Sequence, residues 1–559
     1  MRFLFCLCIS LFCLTSLAHA QEDEESGGLL VDLLQDNLSG DNRYIKVTGL
    51  EGALSGAATI KQITVSDDDG VWLTLNDAVL DWNRLALIKG QFSVNTLSAG
   101  EIIVARAPKP TDAPKELPEA AASPFQVPEL PVAIDIGDLR VDRLQLDKPV
   151  VGRAAELSLN GSLNLADGTL ASKLTVTRLD KETDELDLTV GFANETSLIT
   201  LDLKLTESAD GLVSEILNIP DRPSILLTAK GEGPVTDFTA DITLASDDVE
   251  RLGGQVRLKS VPAPSGEDDA APSIGFEADL AGDITPLLAS QYKTFFGDNT
   301  SLRLFGRSDP DGRLAVQKFA VRSEALNLEG ALDLAGGGVV ERVLLDGRIS
   351  PPQGEEVVLP IGEPRTSIRS AVLSAQLDTS KGNSWSINMN LNGLERPDLT
   401  LSRAEVIASG TLDQTDSMHL TGDIKAALRG IGLTDEHLKK AVGSQILLKG
   451  GFEAIDEKAL KLSGFLLRGS NYTATVDAEI DGLDSGFNVD GTASVQADDL
   501  SRFSGLAGRD LTGAVEAEIT GTGSPLGGSF NFDLSAVARD PSIGIKQVDN
   551  LIRGTTRLV

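Results

Sequence analysis

Apolar and polar residues alternate with period two along most of this chain, and that pattern constrains its fold more than any other feature. In Leu157-Ser-Leu159-Asn-Gly-Ser-Leu163-Asn-Leu165 every second position is apolar or Gly. Leu170, Leu174 and Val176 repeat the pattern, as do Leu201, Leu203 and Leu205, and then Leu326, Leu328, Leu332 and Leu334. Side chains alternate across a pleated strand, so each run gives one oily and one wet face. Turn signals separate the runs: Ala166-Asp167-Gly168, Asp309-Pro310-Asp311-Gly312, Ser380-Lys381-Gly382-Asn383 and Asp481-Gly482. The expected fold is therefore all-β, with few short helices. At ~12 residues per strand and turn, the chain would give ~45 strands, reaching ~200 Å if stacked at ~4.8 Å.

Helical signals are sparse. Leu29, Leu30, Leu33, Leu34 and Leu38 fit one helix ending at Gly40. A second is expected from Pro286 to Phe296, with Thr285 as N-cap and Gly297 beyond its end. Thr434 would cap a third, through Leu438 to Val442, and Ser501 to Leu506 would form a single turn. A weak repeat links these features. Strand Ile225 to Lys230 leads into Gly231-Glu-Gly233-Pro234, and Ala514 to Thr520 leads into Gly521-Thr-Gly523. Each follows a short apolar helical stretch, and the Pro286 helix before Leu302–Phe305 reads as a third copy. A repeated unit that cannot bury its own apolar face implies an array.

The first twenty residues have the layout of a secretory signal. Arg2 precedes an apolar run from Phe3 to Leu17, and Ala18-His19-Ala20 is a small-x-small site that places cleavage between Ala20 and Gln21. The run is shorter than the roughly 20 residues that span a bilayer. Pro108, Pro110, Pro114, Pro118, Pro124, Pro128 and Pro131 mark a linker. The expected organisation is a signal at 1–20, a helix plus β cap region at 21–106, a Pro-rich linker at 107–131 and a repetitive β groove at 132–559.

Composition narrows the chemistry. The 83 acidic and 49 basic residues give a net charge of −34. That balance opposes a nucleic-acid partner and a protein lying flat on anionic headgroups. Cys6, Cys8 and Cys13 are the only cysteines, and only His419 and His437 lie beyond residue 20. GxSxG, HExxH and GxxxxGK[ST] strings do not occur. The expectation is a non-enzyme without a cofactor. Ser66-Asp67-Asp68-Asp69-Gly70 lacks the ligand alternation of a calcium loop and reads as a solvated hairpin turn. Trp72 and Trp82 read as core anchors. His419 and His437 read as exposed residues of a strand and a helix.

Gly49-Leu-Glu-Gly52-Ala-Leu54, Ile60 to Ser66, Asp69-Gly70-Val71-Trp72-Leu73, Asp81-Trp82 and Leu85-Ala-Leu87 resemble the N-terminal region of the TamB family, within the AsmA-like superfamily. Leu130-Pro131-Val132 and the run Ile136 to Leu144 resemble that family's segment after its Pro-rich linker. Gly231-Glu-Gly233-Pro234 and Gly521-Thr-Gly523 resemble its repeat turns. The resemblance implies a long sheet curled into an open groove in the periplasm. It also implies association with the inner membrane at the N-terminal end, and an Omp85-type, TamA-like outer-membrane barrel as partner. Members are usually about twice as long and meet the barrel through their C-terminal region, so this chain reads as an N-terminal part.

With few helices to cover the oily face, a sheet rolled into a trough leaves an apolar lumen for an acyl chain or an unfolded strand. The expected lining is the oily set already named: Leu157, Leu159, Leu163, Leu165, Leu170, Leu174, Val176, Leu201, Leu203, Leu205, Leu326, Leu328, Leu332 and Leu334. The expected function is outer-membrane biogenesis, protein secretion and barrel assembly, with phospholipid carried along the groove and no nucleic acid bound. Two other readings stay open: an assembly factor that offers strands to outer-membrane proteins, and a secreted acidic β-repeat adhesin.

Overall fold

The computed structural model describes residues 43–52, 56–87, 90–109, 133–262, 272–414, 417–455, 458–482, 487–524 and 528–559. The signal cleavage site, the Leu29–Leu38 helix and nearly all of the Pro-rich segment lie outside these residues. The described chain is chiefly strand, arranged in open, curled sheet with a few short helices. It divides into two units: Met1–Gly282 with Pro286–Ala289, and Asp283–Thr285 with Ser290–Val559.

In the first unit, strands follow one another in ladder order from Tyr44–Glu51 to Ser273–Gly282. One pair departs from the antiparallel rule: Gln91–Val104 runs parallel to Ala133–Leu146. Parallel neighbours need a crossover of a dozen or more residues. Residues 105–132, which hold the Pro-rich segment, supply it. The second unit is antiparallel throughout, from Thr300–Ser308 to Thr555–Leu558. Thirty-one strands are present among the described residues, fewer than the ~45 expected from ~12 residues per strand. The full-length strands run mostly to 9–15 residues, and rim connections add more.

Strand register turns the alternation into a surface. In the first unit one file of directly opposed residues crosses twelve strands. It runs Leu50, Ile60, Ala78, Ala99, Val141, Leu159, and continues Val176, Leu186, Leu205, Leu227, Leu244, Leu252. Every member is apolar. On the other face the aligned residues are Asn160, Thr175, Asp187, Lys204, Thr228 and Thr243. The second unit repeats the device: Leu302, Val321, Leu328, Gly347, Leu373 and Met389 lead to Val406, Ala426, Leu448, Leu467, Ala474 and Val495, then Ala517, Ala536 and Leu558. A one-residue slip in any strand would move its aliphatics to the wet face, so the whole file holds each register.

Most of the short α-helices sit at one end of the strands, with Arg84–Leu87 at the other. In the first unit Lys148–Val151 precedes Ala155–Ala166 and Leu212–Ile216 precedes Ile225–Pro234, four strands later. Antiparallel neighbours reverse direction, so an interval of four returns the chain to the same end. In the second unit Lys293–Phe296, Glu436–Val442 and Ser504–Ala507 occupy that position before Thr300–Ser308, Gln445–Ile455 and Thr512–Ser524. The repeat read from the glycine turns is thus a four-strand period with a helical connection. The expected Pro286–Phe296 helix is broken into short turns, with α-helix only at Lys293–Phe296. So short a helix has little intrinsic stability, and burial of Phe295 holds it. The cap of Glu436–Val442 is Asp435, whose carboxylate accepts from the His437 and Leu438 amides at 2.8 Å. Thr434 instead donates its hydroxyl to the Pro397 carbonyl at 2.8 Å.

Glycines on the oily face let it curl. A Cβ added to Gly330 would fall 2.7 Å from the Phe319 ring. Gly422 lies in the same relation to Trp385, whose indole Nε1 donates to the Thr421 carbonyl at 3.1 Å. The missing side chain relieves crowding on the inward face, and the neighbouring ring covers the gap. Gly330→Val is expected to lower stability by about 1–3 kcal/mol through overpacking. Chemical denaturation of wild type and variant measures the difference.

Candidate functional site: the apolar lining

One leucine, Leu377, is buried among the described residues, and half of the buried apolar residues are alanines. The leucines are therefore not locked in a sealed core, whereas several valines and isoleucines, such as Val65, Val94 and Ile368, are buried. The fourteen lining residues expected from sequence are all half-buried. Those of the first unit share one face. Leu159 opposes Val176, Leu165 opposes Leu170, and Leu163 stands beside Leu165 two positions along the strand. Leu203 opposes Leu188, which opposes Leu174, while Leu205 opposes Leu186 and Leu201 opposes Val190. Leu157 opposes Arg178 and so marks the polar limit of the file. In the second unit Leu328, Leu332 and Leu334 oppose Val321, Val316 and Leu314.

Leu326 differs from its neighbours. It packs against a true cluster of buried residues: Phe295, Ala325, Val357 and Ile368. That cluster closes the helical end of the strands, where the Phe295 and Phe296 rings meet edge to face at 5.1 Å. Farther along the same rim, Tyr472 and Phe503 are 5.8 Å apart, with the Arg502 guanidinium 5.0 Å above Tyr472. The Tyr472 hydroxyl donates to the Val442 carbonyl at 3.1 Å, and burial raises its pKa. Leu326 is thus part of the closure more than of the open lining. Phe295→Ala is expected to cost about 3–5 kcal/mol and to loosen this rim, read as a lower melting temperature.

The first unit closes its helical rim with charge. Glu207 is buried and accepts from the Val213 and Ser214 amides at 2.6 and 3.1 Å and from the Ser214 hydroxyl at 3.1 Å. It thereby satisfies the first turn of Leu212–Ile216. Arg178, 4% exposed, donates to Asp184 at 3.1 Å and grips Asp180 with two bonds of 2.6 and 2.7 Å. Asp184 in turn accepts from the Ser208 amide at 2.7 Å. Each buried charge has partners, as desolvation demands. Ile45, Val47 and Val65 form a small core in the first strands, with Trp72 packed on it. Trp82 meets Phe92 at 5.8 Å.

Sequence reasoning did not single out Leu186, Leu188, Val190, Leu227, Leu244 or Leu373, which carry the same files. The signal was present in their period-two spacing. The acidic turn also differs from its expected solvated form. Asp67 is buried, clamped by the Arg106 guanidinium, and accepts from the Lys109 and Asp69 amides at 3.0 and 2.9 Å. The Arg106 hydrogen bonds, then the backbone amides, hold its carboxyl well below the usual carboxylate range. His419 is half-buried in its strand, 2.6 Å from Glu453, and His437 is exposed on its helix. Among the described residues no group of His, Cys, Asp or Glu is arranged to hold a metal, and no helix is long and apolar enough to cross a membrane. Compared with family models, curated proteins and solved structures, the chain matches none.

Asp67 tests the clamp through pH. Its folded pKa is depressed, so its contribution is present above the unfolded carboxylate value near 4 and is lost as pH falls through the folded one. Asp67→Asn should melt lower than wild type at pH 7. The gap should narrow below pH 4. An equal gap at both pH values would show that the carboxylate charge is not what the clamp uses.

Proposed function

We propose that this chain is a TamB-like component of a periplasmic conduit, carrying phospholipid acyl chains along the apolar lining toward the outer membrane. The reading carries with it inner-membrane association at the N-terminal end and an Omp85-type barrel partner. The observation that supports it most is the continuous file of apolar residues and glycine in each unit, most of them half-buried. A half-buried leucine leaves about 1 kcal/mol of burial unrealised, and an acyl chain gains roughly 0.8 kcal/mol for each CH₂ removed from water. A row of such residues offers an apolar cargo many small, equivalent footholds. Cargo can slide because no position binds far more tightly than the next. No bond is made or broken in this mechanism.

Leu203→Asp and Leu328→Asp each put a carboxylate into a file. Both substitutions are at half-buried positions, so the protein should fold, with unchanged far-ultraviolet circular dichroism. Lipid recovered with residues 21–559, measured by mass spectrometry, should fall several-fold in each variant. If both variants retain wild-type lipid and support normal transfer, the conduit reading fails. A factor working only by strand pairing would tolerate both changes.

A further inference from the structure

The wet face of the second unit carries a patch that its charge pattern does not explain. Lys425 lies directly opposite Lys449 on adjacent strands, and Arg403 directly opposite Arg429. Arg468 stands one strand beyond, opposite Leu447. Like charges at directly opposed positions destabilise a sheet. This chain has 83 acidic and 49 basic residues, yet these four strands bring five cations together on a face where Glu405 and Asp423 are the neighbouring acids. Arg403 is satisfied by Glu405 at 2.6 Å. Lys425, Lys449 and Arg468 are exposed and form no ion pair among the described residues.

Apolar side chains are interleaved with these cations on the face that elsewhere carries Thr, Asn, Asp and Glu. Ile407 is 56% exposed and Leu447 46% exposed. Ile407 opposes Lys425, and Lys449 opposes Leu466. Together they line a shallow cavity of about 380 Å³. We infer that this patch docks an acidic, aliphatic-bearing segment of a partner protein, with carboxylates over Lys425, Lys449 and Arg468 and an apolar side chain between Ile407 and Leu447.

Two arguments favour a polypeptide over a bilayer. The patch covers four strands, so about five extended residues at ~3.3 Å each would span it. An anionic membrane would also face the remaining acidic surface of a chain with net charge −34, and would be repelled within a Debye length of ~8–10 Å. A short segment meets chiefly the cations, since Glu405, the one acidic residue lining the cavity, is already paired with Arg403. This surface lies on the face opposite the apolar lining, so the inference stands apart from the cargo of the groove.

The experiment uses residues 21–559 and a fluorescein-labelled twelve-residue peptide of repeating Glu-Leu-Glu-Ser, followed by fluorescence anisotropy. Wild type should bind with an affinity that falls as salt rises. Lys449→Glu should weaken binding about tenfold or more. The same variant turns a like-charge pair into an opposite-charge one, so its melting temperature should rise. Lys449→Gln should also weaken binding without lowering the melting temperature. Lys173→Glu, on the wet face of the first unit, should leave binding intact. Equal binding by Lys449→Glu and wild type would overturn the proposal, as would a lower melting temperature for that variant. Binding to phosphatidylglycerol vesicles with no binding to the peptide would assign the patch to lipid and overturn it as well.

Discussion

The structure depends on one constraint: a strand with a single apolar face must place that face somewhere, and the described residues supply no second layer to cover it. Packing sheet on sheet or helix on sheet is the ordinary solution. Here the helices are one or two turns long and sit at strand ends. The sheet curls instead, and its own neighbouring strands supply partial cover. Half-burial of most leucines is the direct result.

Partial cover has consequences for stability. Most of the strand-to-strand energy comes from local ladders and from cross-strand pairs such as Leu159–Val176 and Leu205–Leu227. The dense clusters are small and lie at margins: Ile45, Val47 and Val65 in the first strands, and Phe295, Val357 and Ile368 at the helical rim. Buried charged side chains serve the same rim in the first unit. Arg178 and Glu207 hold connections there that aliphatic packing does not reach. The closed rim and the half-open lining are two outcomes of the same shortage of covering layers.

The two faces also divide the functional chemistry. The lining is uniform, apolar and repetitive, which suits a cargo that moves. The wet face is largely a mixture of opposite charges and hydroxyls, such as Lys230 with Asp202 at 2.9 Å and Thr492 with Thr520 at 3.0 Å. Directly opposed like charges also occur at Glu329–Asp346 and Glu479–Asp490, but the Lys425–Lys449 neighbourhood gathers exposed cations beside exposed Ile407 and Leu447.

Alternation in the sequence determined that the chain would be strand-rich, which face of each strand would be oily, and which leucines would share it. Period two is a local property, so it survives without knowledge of partners. Short-range turn chemistry also placed several hairpins, among them those at Asp167-Gly168, Asp309 to Gly312 and Ser380 to Asn383. Tertiary structure alone decided the rest, because the rest depends on residues far apart in the chain. The parallel pairing of Gln91–Val104 with Ala133–Leu146 arises across the Pro-rich segment. The burial of Asp67 requires Arg106 to return from 39 residues away. Leu326 reads like Leu328 in sequence, yet joins a sealed cluster because Phe295 and Ile368 arrive from separate connections. The opposed lysines at 425 and 449 become neighbours only through register, since a helix and a rim rung separate their strands. Spacing fixes the direction of a side chain, and only the fold fixes what it meets.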